Sequence, residues 1–342
     1  MLRITTAVVL CLTVLAPAQA AQTAPASSKD LAGALLEQAV IPSYARLAEA
    51  TTAQALAWDA GCSDVQALRD AYHQTADAWA GVFHWSYGPI SLLLRRDRFY
   101  HWPERRNSTG KAVARLLAKE DPERLLPEAF SKTTVAVQGL PALERILFED
   151  VKVAENPWAC RIGATIARNL AEIAAGTLED WQGPLRDAVA SGSHPVFFES
   201  NQELLSELFT ELLTGYVMIK DQKILSAMGS SAAKARPGLL ETRRSERFER
   251  NLALNLKALA DIETVFGQFL PHTEASRLRQ SATEVKGCFD ALAPFAEALY
   301  DEESRKSIKA CLDVLTAHRA DLAESYSQHL GLSLGFNNLD GD

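Results

Sequence analysis

No stretch of this sequence alternates apolar and polar residues with the β-branched enrichment of a half-buried strand, so no sheet is expected. No H-E-x-x-H is present, which excludes the usual zinc-protease helix. G-x-S-x-G, the Walker A loop and G-x-G-x-x-G are also missing, which excludes the nucleophile elbow and the common nucleotide loops. Without a C-x-x-C there is neither a zinc-knuckle nor a dithiol redox motif. A ferritin-like di-iron site needs two E-x-x-H pairs, and the nearest match is a single Asp70-x-x-His73. Basic charge is in deficit: 35 Lys and Arg against 43 Asp and Glu leave a formal net charge of −8. That balance argues against nucleic acid or an anionic membrane surface as a partner.

What is present begins with an export signal. Met1-Leu2-Arg3 is followed by an apolar run from Ala7 to Ala16, then Pro17 and the small-residue site Ala18-Gln19-Ala20. This is the pattern of a cleavable secretory signal, with cleavage expected after Ala20. The run is far shorter than the ~20 apolar residues that span a bilayer, so no anchor is expected. Residues 21–28 (AQTAPASS) read as a disordered leader. Some 300 further residues exceed what one core usually serves, so two domains are expected, 29–192 and 193–342. Four cysteines follow the signal: Cys62, Cys160, Cys288 and Cys311. An even count in an exported chain points to structural disulfides. Three pairings are possible, and the economical one joins Cys62 to Cys160 and Cys288 to Cys311.

The apolar periodicity is helical almost throughout. Leu204, Leu205, Leu208, Phe209, Leu212, Leu213, Tyr216 and Val217 form one stripe of a long helix. Leu312, Leu315, Leu322 and Tyr326 mark another near the C-terminus. Helices are expected over 29–58, 64–85, 109–118, 122–136, 141–150, 160–190, 199–227, 242–268, 274–297 and 302–329. The segment 87–107 reads as an ordered loop, SGSHP (191–195) as the divider, and 229–238 as a flexible loop. The fold class is therefore all-α, with two packed bundles of about four helices each.

Several clusters have more than one reading. Glu199, Glu203, Glu207 and Glu211 recur at i+4, which suits either a carboxylate ladder for a hard cation or a solvated face beside the leucine stripe. The solvated face is the preferred reading. His73 and Asp77 are one turn apart and read as a surface or packing pair before a metal site. In Gly139-Leu140-Pro141-Ala142-Leu143-Glu144, Pro141 suits a first helical turn and Glu144 sits near the positive end of the helix dipole.

Three stretches together resemble the imelysin family, also called M75 peptidase-like or iron-regulated-protein-like. They are Tyr87-Gly88-Pro89 with Trp102-Pro103, the Gly139–Glu144 segment running on to Leu147-Phe148, and the tail Leu330-Gly331-Leu332-Ser333-Leu334-Gly335-Phe336-Asn337-Asn338-Leu339-Asp340-Gly341-Asp342. Arg244-Ser245, expected to open a helix, fits the family more weakly. The resemblance implies two helical bundles with a shared site between them, a periplasmic or cell-surface location, and a role in iron acquisition. The family signature is G-x-H-x-x-E. Here Gly139 and Glu144 match it, but Pro141 stands at the histidine position and carries no ligand atom.

The leading expectation is a non-enzymatic periplasmic protein that binds iron or an iron-bearing species in the cleft between its lobes. Its partners would be the membrane components of iron uptake. Glu144 is the expected acidic group and metal ligand, with Arg244 and Ser245 beside it. Tyr87, Trp102, Phe336, Asn337 and Asp340 are expected to wall the cleft. A metallopeptidase is the second reading. It needs ligands beyond Glu144, and His73, His84, His101 and Asp340 are the candidates. A third is a docking module that uses the Arg- and aromatic-rich segment from Arg95 to Arg106.

Overall fold

Several helices start where the sequence supplies a side-chain cap. The computed structural model describes residues 27–334. The expected signal (1–20), residues 21–26 of the leader, and Phe336, Asn337 and Asp340 lie outside the described residues. Ser27 and Asp30 form a reciprocal capping box at the first helix, and Asp64, Asn156, Ser200 and Asp301 cap four others through their side chains. Gly192 and Gly331, both left-handed, close two helices.

In chain order the helices of the N-terminal half are α1 (Ser28–Leu35), α2 (Ile41–Asp59), α3 (Val65–Ala80), α4 (Arg95–Phe99), α5 (Ser108–Ala118), α6 (Pro127–Phe130), α7 (Leu140–Phe148), α8 (Pro157–Asp180) and α9 (Arg186–Ser191). Those of the C-terminal half are α10 (Asn201–Val217), α11 (Ser226–Met228), α12 (Phe248–Gly267), α13 (His272–Asp290), α14 (Phe295–Ala298) and α15 (Glu302–Leu330). No strand occurs among the described residues. Wider π-type turns at Leu36–Val40, Trp181–Leu185 and Met218–Leu225 interrupt three of the expected long helices. Pro184, inside the second of these, removes a backbone donor and gives that interruption a cause.

Four expectations need correction. The helix over 122–136 is instead a series of short turns, because Pro122 and Pro127 each restart the chain. The 87–107 segment is partly helical, through Gly88–Leu94 and α4. The helix expected from 242 begins at Phe248, and 242–247 form a tight turn. The helix expected to reach 297 ends at Asp290, and Pro294 separates it from α14.

Helices α2, α3, α7 and α8 pack as one set of neighbours, and α10, α12, α13 and α15 as another. The leucine stripe of α10 is buried, and Phe209 meets Tyr326 of α15 with ring centroids 5.5 Å apart. Burying each such leucine or phenylalanine is worth about 1.5–3 kcal/mol. Across the middle, α3 packs on α12 and α1 on α10, so one apolar core runs through both halves. The disulfides are Cys62–Cys160, tying the end of α2 to α8, and Cys288–Cys311, tying α13 to α15. Among the described residues no helix is long and apolar enough to cross a membrane.

Candidate functional site

The seam between the halves buries several polar groups. On the N-terminal side, α7 enters it after Gly139, whose extended backbone any residue could adopt. The glycine is needed for space instead: a Cβ there would lie 2.2 Å from the Phe99 carbonyl oxygen and 2.7 Å from that of Arg98. Gly139→Ala is therefore expected to cost about 2–3 kcal/mol, because backbone rather than a movable side chain must give way. A thermal melt checks this, and an unchanged midpoint would show that α4 is free to shift. Pro141 occupies the first turn of α7. Leu140, Leu143 and Leu147 anchor its buried side.

That anchoring carries Glu144, 4% exposed, onto the turn before α12. Its Oε1 accepts the backbone N–H groups of Arg244 (3.2 Å) and Ser245 (3.1 Å) and the Ser245 hydroxyl (2.8 Å). These donors are free because Arg244 and Ser245 lie in a turn rather than in a helix. Thr242 and Glu246 bend it with positive φ (48° and 54°), a conformation unfavourable for side-chain-bearing residues. Among the described residues Oε2 accepts no hydrogen bond and has one charged neighbour, Arg244 Nη1 at 3.8 Å. Burial pushes the Glu144 carboxyl above its ordinary pKa, against the opposing pull of the Ser245 and Arg244 donors. From there Arg244 pairs with Glu149, Glu149 with Arg145, and Arg145 with Glu104 and Asn107.

A second buried network stands three residues upstream of Arg244. Glu241 and Lys223, each 2% exposed, pair at 2.5 Å. Tyr100 donates to the other Glu241 oxygen at 2.7 Å, and Lys223 donates to Asn255 at 2.6 Å. Asn255 in turn donates to the Ala80 carbonyl at 2.9 Å. The Lys223 ammonium lies over the rings of Phe83 (4.6 Å) and Trp102 (5.8 Å). Burial lowers the Lys223 pKa even though Glu241 favours the charged form.

Glu144, Arg244 and Ser245 thus meet at one junction, while Gly139 packs on α4, Pro141 opens α7, and Trp102 stands in the adjoining network. Tyr87 lies elsewhere. Its hydroxyl donates to the Phe197 carbonyl, and its N–H donates to Glu211 at 3.2 Å. Gly88, at φ +76°, is held against Trp181. Glu211 also accepts the Ser86 N–H and hydroxyl, so the fourth rung of the glutamate ladder is buried, contrary to the solvated-face reading. The 86–88 turn brings its unpaired N–H groups onto α10 and needs an acceptor there.

His73 and Asp77 hold the halves together: Arg247 bonds both, and Arg250 pairs with Asp77. His101 contacts Ser108. Neither ring nitrogen of buried His84 has a partner among the described residues. Among the described residues no group of three or more His, Cys, Asp or Glu side chains is placed to hold a metal. In the segment expected to dock a partner, Arg95 pairs with Asp180, Arg96 donates to the Phe83 and Trp85 carbonyls, and Arg98 to Gln138 and Asn169. Those three arginines staple the loop to the fold, while Arg105 and Arg106 are exposed.

A cavity of about 890 Å³ opens between α2, α3 and α12. Glu144 does not line it. A smaller hollow of about 270 Å³ lies beside Glu149, lined by Arg69, Leu147 and Val153. Sequence reading missed Lys223, Glu241, Tyr100 and Asn255. Lys223 sits in Lys220-Asp221-Gln222-Lys223, which looks like a solvated face. Only the wide π-type turn rotates it inward.

Comparison with known proteins supplies a frame for this geometry. The imelysin (peptidase M75) family model matches residues 40–322. No curated protein matches the chain. An imelysin-like protein from Psychrobacter arcticum 273-4 superposes with a TM-score of 0.75 at 21% identity, covering 90% of this chain and 97% of that one. A protein from Parabacteroides distasonis ATCC 8503, described as an iron-regulated protein A precursor, gives a TM-score of 0.72 at 11% identity. It too covers 90% of this chain and 97% of its own. At these identities the two structures speak for the fold alone.

Proposed function

Because this chain belongs to the imelysin family, we propose that it is an exported, non-enzymatic protein of iron acquisition that holds an iron-bearing species at the Glu144 junction. One observation carries the reading. Glu144 is a buried carboxylate at the seam of the two halves, and its Oε2 takes no hydrogen bond among the described residues. A single carboxylate oxygen suits a species that brings further ligands of its own better than it suits a bare ion, which needs several protein donors. The Arg244 guanidinium beside it suits an anionic chelate.

The N-terminal signal pattern and the two disulfides support export to an oxidising compartment such as the periplasm. Membrane components of iron uptake would then be its partners. Pro141, where the family signature has histidine, supports a binding role over a peptidase role.

Calorimetric titration of the protein and of Glu144→Ala with Fe(II), ferric citrate and Zn(II) tests the proposal. Saturable binding of an iron form, weakened at least tenfold in Glu144→Ala, is the expected result. No binding of either iron form, or binding indifferent to Glu144→Ala, would overturn it. Tight binding of Zn(II) alone would favour the metallopeptidase reading.

A further inference from the structure

The cleft between α2, α3 and α12 is separate from the Glu144 junction and has its own chemistry. It exists because the facing helix surfaces carry small residues: Ala50, Ala53, Ala78, Gly81 and Ala258. Larger side chains there would close it. Trp85, Ile262 and Val265 add apolar wall. Its volume, about 890 Å³, falls within the range of small-ligand sites.

Three polar features are left open around this wall. Arg46 and Glu49 line the cleft one helical turn apart on α2, and both are exposed. Neither makes an ion pair or a hydrogen bond among the described residues, so they do not neutralise each other. The other charges of the lining are spoken for: Lys257 pairs with Asp261, and Asp77 with Arg247 and Arg250. The third feature is His84, which also lines the cleft. It is 1% exposed, and both its ring nitrogens lack partners among the described residues. Buried polar atoms are paired as a rule, and leaving them unpaired is costly.

We propose that this cleft binds a short apolar peptide of two or three residues with free termini. The unpaired Arg46 and Glu49 charges, one turn apart on α2, match a ligand that carries both a carboxylate and an ammonium. Arg46 takes the C-terminal carboxylate and Glu49 the N-terminal ammonium. The alanine floor and the Trp85 side take the apolar side chains. A neutral imidazole has one donor and one acceptor, the complement of a peptide C=O and N–H. A bare hydrocarbon would leave all of these groups unanswered. A metal ion would lack the cluster of ligands it needs.

Trileucine, N-acetyl-trileucine and trileucine amide are the probes, titrated by calorimetry into the full chain. Trileucine is expected to bind saturably, with each blocked analogue roughly tenfold weaker. Arg46→Ala is expected to weaken trileucine about as much as amidation does, while leaving the amide unchanged. Ala53→Trp, at an exposed position on the cleft wall, is expected to abolish binding without altering the melting temperature. Glu144→Ala is expected to leave peptide binding intact, which separates this site from the iron proposal. Absence of saturable trileucine binding, or binding that survives Ala53→Trp, overturns the inference.

Discussion

Lys223→Met is expected to destabilise the protein by about 3–5 kcal/mol, the cost of leaving a buried charge without its partner. Glu241 is buried, and without Lys223 it keeps only the Tyr100 hydroxyl. Methionine fills the space between Phe83 and Trp102 but donates to neither Glu241 nor Asn255. Urea unfolding at neutral pH measures the loss. The double variant Lys223→Met with Glu241→Gln is expected to recover much of it, because the desolvated charge is then gone from both sides. A loss under about 1 kcal/mol in the single variant would mean that the pair does not hold the seam. The consequence reaches the candidate site, since Glu241 lies three residues before Arg244 in the turn that supplies the Glu144 donors. A loosened turn presents those donors poorly.

The second large effect is a pH dependence set by His84. Burial, with a lesser contribution from the Arg96 charge, pushes its pKa from 6.5 down to about 3. Between those values the unfolded chain binds a proton that the folded chain refuses. Stability therefore falls as pH falls through this window, at up to about 1.4 kcal/mol per pH unit. Over the whole window the histidine accounts for a loss of about 4–5 kcal/mol. The buried carboxylates act the other way. Glu144 and Glu211 have raised pKa values, so they protonate first in the folded state and relieve its burial cost as pH falls. The test compares unfolding free energies of the protein and of His84→Phe from pH 7 to pH 4. The stability of the protein relative to His84→Phe is expected to fall steadily toward acid. Parallel curves would show that His84 is protonated in the folded state.

Much of the fold is legible in the residues because helical periodicity and caps are local. The α10 stripe, the Asp64 and Asn156 caps and the closing glycines act within a few residues of themselves, whereas the Ser27 cap falls in what reads as a disordered leader. What failed did so where a local pattern met a distant neighbour. Glu211 continues a ladder that looks solvated, yet the 86–88 turn settles on it from elsewhere in the chain. Arg244 and Ser245 look like a helix opening, but as a turn their N–H groups are free to meet Glu144. Arg95, Arg96 and Arg98 look like a docking surface, yet each has an acceptor within the fold.

By itself the sequence determined the helical class, the pairing of Gly139 with Glu144 on one short helix, and a set of cysteines whose economical pairing the fold adopts. Periodicity, chain entropy and space along one segment suffice for these. Only the tertiary structure decided that Glu144 is closed in by Arg244 and Ser245, that Lys223 turns inward to Glu241, and that the open cleft lies between α2, α3 and α12 instead. Burial of a charge depends on which segments arrive around it. That is a property of long-range packing, for which a short run of residues carries no signature.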